Sequence, residues 1–413
     1  MRFHLIRFML FVGTALSLIV FVVYTRLLFF AADSPEDLLR QQFQYPSSPV
    51  GNITKVELVN PPLRTRGRDV VDANGKRFKL ATVNWYGASD EQFIPGGLDI
   101  QHRSKIVDAI KRIGFNSVRL PYADEMVVSN PLIPSELLAA NPDLVGLRAL
   151  DIYEAVVNIL TEARLAVIVN NHITQATWCC GINPCDAAWS NEYLGGLCRV
   201  RQTEDQWIEN WKIVMKPYVN NSRVIGADLR NEVRGFWGTM KWKAWAKAAE
   251  RAGNALLDMQ PNWLVIVEGT SSSNDLAGVL DRPVVLDVKD RVVYSSHVYS
   301  WSGWGTLEGR YAKRAYESFA KSMRENWAYL LEDNIAPVWV GEIGAPHLPN
   351  KGDRNYWDNL LRFMKAEDCD FAYWAINPRK PHGNESETYS ILKDDWLTPI
   401  TDYRMGDMVQ LMG

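Results

Sequence analysis

Eight short runs rich in apolar and β-branched residues recur along this chain, and their spacing limits its fold more than any other feature. They are "KLATVNWYG", "NSVRLPY", "LAVIVNNH", "VIGADLRN", "WLVIVEG", "VVYSSHVY", "PVWVGEIG" and "FAYWAI". Most are separated by segments with apolar residues at i, i+3 and i+4, such as "SKIVDAIKRIG", "LDIYEAVVNILTEAR", "DQWIENWKIVMKPYV" and "YWDNLLRFMKAED". Eight strand candidates alternating with helices predict an α/β fold of the (β/α)8 barrel type. A doubly wound open sheet would want a Gly-rich phosphate loop after the first strand, and none is present. Upstream, "DVVDANGKRFKL" places two extended pieces around Asn74-Gly75, which predicts a β-hairpin cap with a type I′ turn. The barrel domain is expected over 67–413, a polar, Pro/Ser-bearing linker or stalk over 33–66, and a separate module over 1–32.

That N-terminal module places Arg2 and Arg7 before an apolar run from Phe8 to Tyr24. The run sits at the lower limit for spanning a bilayer and exceeds most signal-peptide cores. We read it as an uncleaved signal anchor in preference to a cleaved signal peptide, which makes the chain a single-pass type II membrane protein of the secretory pathway or cell exterior. Three sequons agree with export, at Asn52, Asn220 and Asn384. Four of the five cysteines (Cys179, Cys180, Cys185 and Cys198) crowd one stretch, while Cys369 stands alone. In an oxidising compartment they predict two disulfides stapling a loop and one buried thiol. Adjacent Cys179 and Cys180 are poor partners for each other on geometric grounds. A four-Cys zinc site lacks paired C-x-x-C spacing, so neither metal nor cofactor is expected. The net charge of −3 gives no basic field for nucleic acid, and a monomer is expected.

In a barrel, functional groups project from the C-terminal ends of the strands. Those ends carry Asn84 and Trp85, Arg119, Asn171 and His172, Asn231 and Glu232, His297 and Tyr299, Glu342, then Trp374 and Asn377. Each alone has a structural explanation; their joint placement at strand ends does not. Two are carboxylates, after the fourth and seventh runs, so their side chains face across the mouth of the ring. A paired carboxylate site suits glycosidic cleavage, one group protonated to assist the leaving oxygen and one ionised to attack the anomeric carbon. A separation near ~5 Å makes such an enzyme retaining. Glu342 is expected to be the ionised partner, its charge held down by Arg119 with a hydrogen bond from Tyr299. Glu232 is then the acid, and the base of the second step.

The motifs "VDANGKRFKLATVNWYG", "VRLPY", "VNNHITQATWCC", "DLRNEVRG", "HVYSW", "VGEIGA" and "YWAINP" together resemble glycoside hydrolase family 5, the cellulase-like enzymes. The resemblance runs from about residue 66 to near the C-terminus. It implies Glu232 as acid/base and Glu342 as nucleophile, supported by Arg119, His172, Asn231, His297, Tyr299 and Trp374. "HITQATWCC" with "LRNEVRG" is similar to one branch of cellulase-like chains. That branch often carries Asp where Asn170 stands here, a departure that bears on the pH optimum. Asp228 and Arg230 are read as structural, as an internal ion-pair layer. The long stretch Ile173–Arg201 reads as a stapled wall of the cleft. Among the many aromatics, Trp178 and Trp301 are the sugar-stacking candidates, with Trp189, Trp237 and Trp304 nearby and Trp242 packing its helix.

The expected activity is a retaining β-glycosidase acting on a β-linked polysaccharide or oligosaccharide, with an endoglucanase as the first reading. A β-mannanase or exo-acting β-glucosidase on the same site, or a carbohydrate-binding pseudoenzyme, are the alternatives. A metal-dependent hydrolase would want a His/carboxylate cluster on several strands, and only His172 and His297 are placed for one.

Overall fold

The computed structural model describes residues 59–235, 238–303, 307–381 and 384–412. The apolar N-terminal run, Asn52, Trp237 and Trp304 lie outside the described residues. Among the described residues, no helix is long and apolar enough to cross a membrane.

Two short strands, β1 (Arg64–Arg66) and β2 (Asp69–Val71), pair antiparallel. Eight more follow: β3 (Ala81–Asn84), β4 (Ser117–Ala123), β5 (Ala166–Ile173), β6 (Val224–Asp228), β7 (Leu264–Glu268), β8 (Val292–Val298), β9 (Val338–Ile343) and β10 (Asp370–Tyr373). These eight close into one parallel barrel in chain order, β10 returning to pair with β3. The (β/α)8 expectation holds, with all eight quoted runs in place.

Strand periodicity explains how the sequence fills this barrel, because alternate side chains point to opposite faces. On one parity Leu80, Ala166, Ile168, Ile225, Leu264, Ile266, Val293, Trp339 and Ala372 fill the floor of the barrel. On the other, Val83, Val118, Leu120, Val167, Val169, Val265, Val267 and Val340 pack outward against the helices. Each such apolar side chain taken fully out of water contributes roughly 1.5–3 kcal/mol. The helices present matching stripes. In Arg103–Ile113, Ile106, Val107 and Ile110 are buried, His102 caps the N-terminus, and Gly114 ends the helix at φ 111°. After β7 the crossover has only short turns, Thr270–Ser273 and Ala277–Val279, where a long helix is usual.

The N-terminal hairpin closes the bottom of the barrel, its Val70 packing with Phe78, Val59 and Leu63 against the floor residues. The stretch read as linker therefore enters the fold at Val59. The hairpin turn falls at Gly67-Arg68, not at Asn74-Gly75. Gly75 has φ 77°, yet Asn74 is not among the residues with positive φ, so the type I′ expectation fails. Asp72 Oδ1 instead accepts the backbone N–H groups of Asn74 and Lys76, and only the isolated bridge Val71–Arg77 flanks that turn.

Candidate active site

The inward side chains turn polar near the C-terminal ends of the strands, on β6 after an irregularity in its pairing with β5 that carries the inward position from Ile225 to Asp228. Arg119 on β4, Asp228 on β6, Glu268 on β7 and His297 on β8 are all fully buried there. Arg119 uses all five of its N–H groups. Its Nε donates to Asp228 Oδ2 at 2.8 Å, Nη1 to Asn84 Oδ1 at 3.0 Å and Glu342 Oε1 at 2.6 Å, and Nη2 to Asn231 Oδ1 at 2.8 Å and Glu268 Oε1 at 3.0 Å. Burial opposes its charge, but Asp228, Glu342 and Glu268 outweigh that and hold the guanidinium above its usual range.

Glu342 receives a second donor, Tyr299 Oη to Oε2 at 2.9 Å. Its carboxyl is nonetheless raised from the ordinary value, chiefly by burial, with His297 and Arg119 pulling it down and Glu232 and Glu268 pushing it up. Arg119 does pull this group down, as expected, but burial outweighs it, so the net shift runs opposite to the one expected for the ionised partner. Three other acids share the same two cations, and the barrel interior shuts out water. Glu232 stands opposite, at φ 48°, a backbone conformation that residues other than glycine seldom adopt. Its Oε1 lies 3.1 Å from His297 Nδ1, and its side chain keeps 17% exposure against 6% for Glu342. A carboxylate oxygen of Glu232, one of Glu342 and a ring nitrogen of His297 all fall within 4.8 Å of one another.

Burial lowers the pKa of His297, but the charges of Glu268 and Glu342 raise it well above the usual histidine value. His172 is the opposite case, with burial and then Arg119 driving its pKa well below normal. Asn170 joins it to the network. The Asn170 amide nitrogen donates to Asp228 Oδ2 at 2.9 Å, so its carbonyl oxygen faces His172 Nδ1 at 2.8 Å and fixes the proton there. An Asp in that position would place a further negative charge beside Asp228, whose own pKa is already pushed up by burial and by Glu268.

Aromatic rings line the rest. Trp374 stacks with Tyr86 at 4.9 Å and with His172 at 5.4 Å, and Trp178 meets Tyr86 edge-on at 5.3 Å. Trp301, 46% exposed, stacks on Tyr299 at 4.3 Å. The site thus gathers Arg119, His172, Asn231, Glu232, His297, Tyr299, Glu342 and Trp374, with Trp178 and Trp301 on its walls.

Other strand-end residues fall elsewhere. Trp85 and Asn171 have the outward parity: Trp85 Nε1 donates to Gly96 O, and Asn171 Oδ1 accepts from Trp207 and Arg230. Asn377 exchanges hydrogen bonds with the backbone of Tyr86 and so supports the site from behind. The expected Asp228–Arg230 layer does not exist. Asp228 faces inward to Arg119, whereas Arg230 lies on the outer side and pairs with Asp124 and Thr174. The strand ends at Asp228, and the period-two relation ends with it.

The loop after β5 also divides. Cys185 and Cys198 are bonded, with Cα atoms 5.6 Å apart, and Trp189 is buried against Trp207 and Trp245, away from the cleft. Trp242 opens the helix Trp242–Leu257, packs against the core and donates Nε1 to Arg282 O. The adjacent Cys179 and Cys180 turn their side chains toward each other, their Cα atoms 3.1 Å apart. Asn231 Nδ2 points at their sulfurs, 3.3 Å from Cys180 Sγ. Cys369 is a buried thiol, its pKa pushed up by burial. His172 also lies within ligand distance of the Cys179 and Cys180 sulfurs. At Glu232, His297 and Glu342, Arg119 already sets a positive charge against Glu342.

Four groups in this network are additional to the strand-end reading: Tyr86, Asn170 and Asp228 in their bonding roles, and Glu268. The signal for Glu268 was present, since in "VIVEG" it shares the parity of the inward Leu264 and Ile266.

A family model described as "Cellulase (glycosyl hydrolase family 5)" matches residues 71–380. An endoglucanase of Paenibacillus polymyxa is 33% identical over 351 residues, covering 81% of this chain and 83% of the relative. The major extracellular endoglucanase of Xanthomonas campestris pv. campestris is 27% identical, covering 81% and 68%. An endocellulase of Pyrococcus horikoshii, solved in complex with cellotetraose, superposes with a TM-score of 0.71 at 26% identity, covering 86% of this chain and all of that one.

Proposed function

The chain belongs to glycosyl hydrolase family 5, and from that premise we propose that it cleaves a β-linked glucan internally by double displacement, with Glu342 as nucleophile and Glu232 as acid/base. The observation that carries the stereochemistry is the approach of the Glu232 and Glu342 carboxylate oxygens to within 4.8 Å. Inverting enzymes hold their carboxyls ~6.5–9.5 Å apart to admit a water, and retaining ones ~5–5.5 Å.

In the first step Glu342 attacks the anomeric carbon while Glu232 gives its proton to the departing glycosidic oxygen. In the second, Glu232 takes a proton from water, the water oxygen bonds to that carbon, and the bond to Glu342 breaks. Arg119 orients Glu342 and Asn231 together, since it donates to both. The Asn231 amide nitrogen, which points at the Cys179 and Cys180 sulfurs, is the donor we assign to an equatorial 2-hydroxyl of the substrate. Trp374 offers a stacking floor for the ring being cleaved. The likeness to a cellotetraose-binding endocellulase supports a gluco-oligosaccharide as occupant.

We also propose that the enzyme works outside the cytosol, tethered by its uncleaved N-terminal run. The Cys185–Cys198 bridge and the exposed sequons Asn220 and Asn384 support export. A mature N-terminus beyond residue 32 would overturn the tether. The catalytic reading is tested by NMR of early cellotetraose hydrolysis, where the β-anomer should appear first; the α-anomer first would refute it. A parallel panel of β-1,4-glucan, β-1,3-glucan, mixed-linkage glucan and mannan should give the largest shortening of chains on β-1,4-glucan.

A further inference from the structure

Glu268 sits at the end of β7, wholly buried, and its carboxylate is fully engaged. Oε2 accepts the backbone N–H of Glu232 at 2.8 Å. Oε1 accepts from Arg119 Nη2 at 3.0 Å and lies 3.5 Å from His297 Nε2. His297 in turn touches Glu232 Oε1 through Nδ1. Glu268 therefore reaches Glu232 twice, once through its main chain and once through the imidazole against its side chain. The main-chain contact falls on the residue held at φ 48°, where an L side chain is disfavoured and an external tie is needed to keep the conformation.

We infer that Glu268 is a positioning residue for the acid/base: it fixes the Glu232 backbone and sets a carboxylate against the far nitrogen of the His297 ring that touches the Glu232 side chain. This rests on the assignment of Glu232 proposed above. The groups facing His297 are Glu232 after β6, Glu268 on β7, Glu342 on β9 and Arg119 on β4, with Asp228 and His172 adding their fields. Of the carboxylates, Glu268 alone touches both the backbone of Glu232 and the far nitrogen of the imidazole. Its own pKa is lowered to about 2: burial works against its charge, and His297, Arg119 and the Glu232 N–H overcome that. It is thus an anion throughout the working range of such an enzyme, a fixed strut with no proton to exchange.

The test uses the full chain with cellotetraose and with 2,4-dinitrophenyl β-cellobioside, in wild type, Glu268→Ala and Glu268→Gln. A dinitrophenolate leaves without acid help, so a defect confined to acid/base function spares its departure and stalls the intermediate, which azide then releases without needing a base. Azide attacks the anomeric carbon, the bond to Glu342 breaks, and the product is β-cellobiosyl azide. Glu268→Ala should lower kcat on cellotetraose by about 10²-fold, the scale of general acid–base catalysis, with KM little changed. Azide should then raise its turnover of the aryl glycoside several-fold and give that β-azide, while wild type does not respond.

Glu268→Gln keeps an oxygen for the Glu232 N–H but loses the charge, so it should show the same azide response with a smaller loss. It decides the matter if the alanine variant does not fold. Equal losses on both substrates without azide acceleration, or cellotetraose turnover near wild type, would overturn the inference. Wild type inert on both substrates would instead overturn the catalytic reading on which it rests.

Discussion

Arg119 Nη1 and Glu342 Oε1 meet at 2.6 Å inside the barrel, joining side chains from strands three places apart round the ring. The contact belongs to a cluster in which one guanidinium is shared by three buried carboxylates, Asp228, Glu268 and Glu342. Such clusters are held together by mutual satisfaction, and removing one member leaves the others uncompensated.

Arg119→Met should therefore destabilise the fold by about 3–5 kcal/mol, the cost of stranding buried charge. Denaturant unfolding of wild type and variant checks this, and a loss below about 1 kcal/mol would mean that the cluster is not cooperative in this way.

Glu232→Ala should lower kcat on cellotetraose by about 10²–10⁴-fold, because departure of a sugar alkoxide needs a proton. Release of dinitrophenolate in a single turnover should fall far less. Matching losses on the two substrates would remove Glu232 from the acid role.

The acid side of the pH profile should report Glu342, which must be ionised to attack. Burial raises its pKa, so activity should fall on acidification at a higher pH than an ordinary glutamate would give. Tyr299→Phe deletes a donor to the charged form and should shift that limb further upward, as expected for the loss of a hydrogen bond to a charge. A kcat/KM profile of the variant that overlays wild type, or moves to lower pH, would contradict this.

The Cys185–Cys198 bridge closes a loop of sequence separation 13. Replacing both with serine should cost about 2–4 kcal/mol, chiefly through the freed unfolded chain. Loss of activity should follow only when the loop melts, since neither cysteine is in the cleft. Thermal unfolding read beside residual activity at 25 °C separates the two effects.

What could be read from the sequence was whatever depends on periodicity. Eight alternating runs specified the barrel, and the C-terminal ends of those runs held Arg119, Asn231, Glu232, His297, Tyr299 and Glu342. Glu268 obeyed the same parity, but a lone Glu before a Gly looks like the end of any strand, and only its contact with Glu232 gives it meaning. Arg230 misled because β6 ends at Asp228, after which alternate residues no longer share a face. The direction of the Glu342 pKa was illegible for another reason. It is a balance of burial and two anions against two cations, and its sign is settled by distances that residue order does not contain.

The central claim is that Glu342 forms the covalent bond to sugar. An activated 2-deoxy-2-fluoro-β-cellobioside slows both steps, the second more, so the glycosyl-enzyme accumulates and its site can be found by peptide mass spectrometry. The account predicts one label, on the peptide containing Glu342, with the label absent from Glu342→Gln. A label on Glu232 or Glu268, or inactivation with no covalent adduct at all, would contradict it.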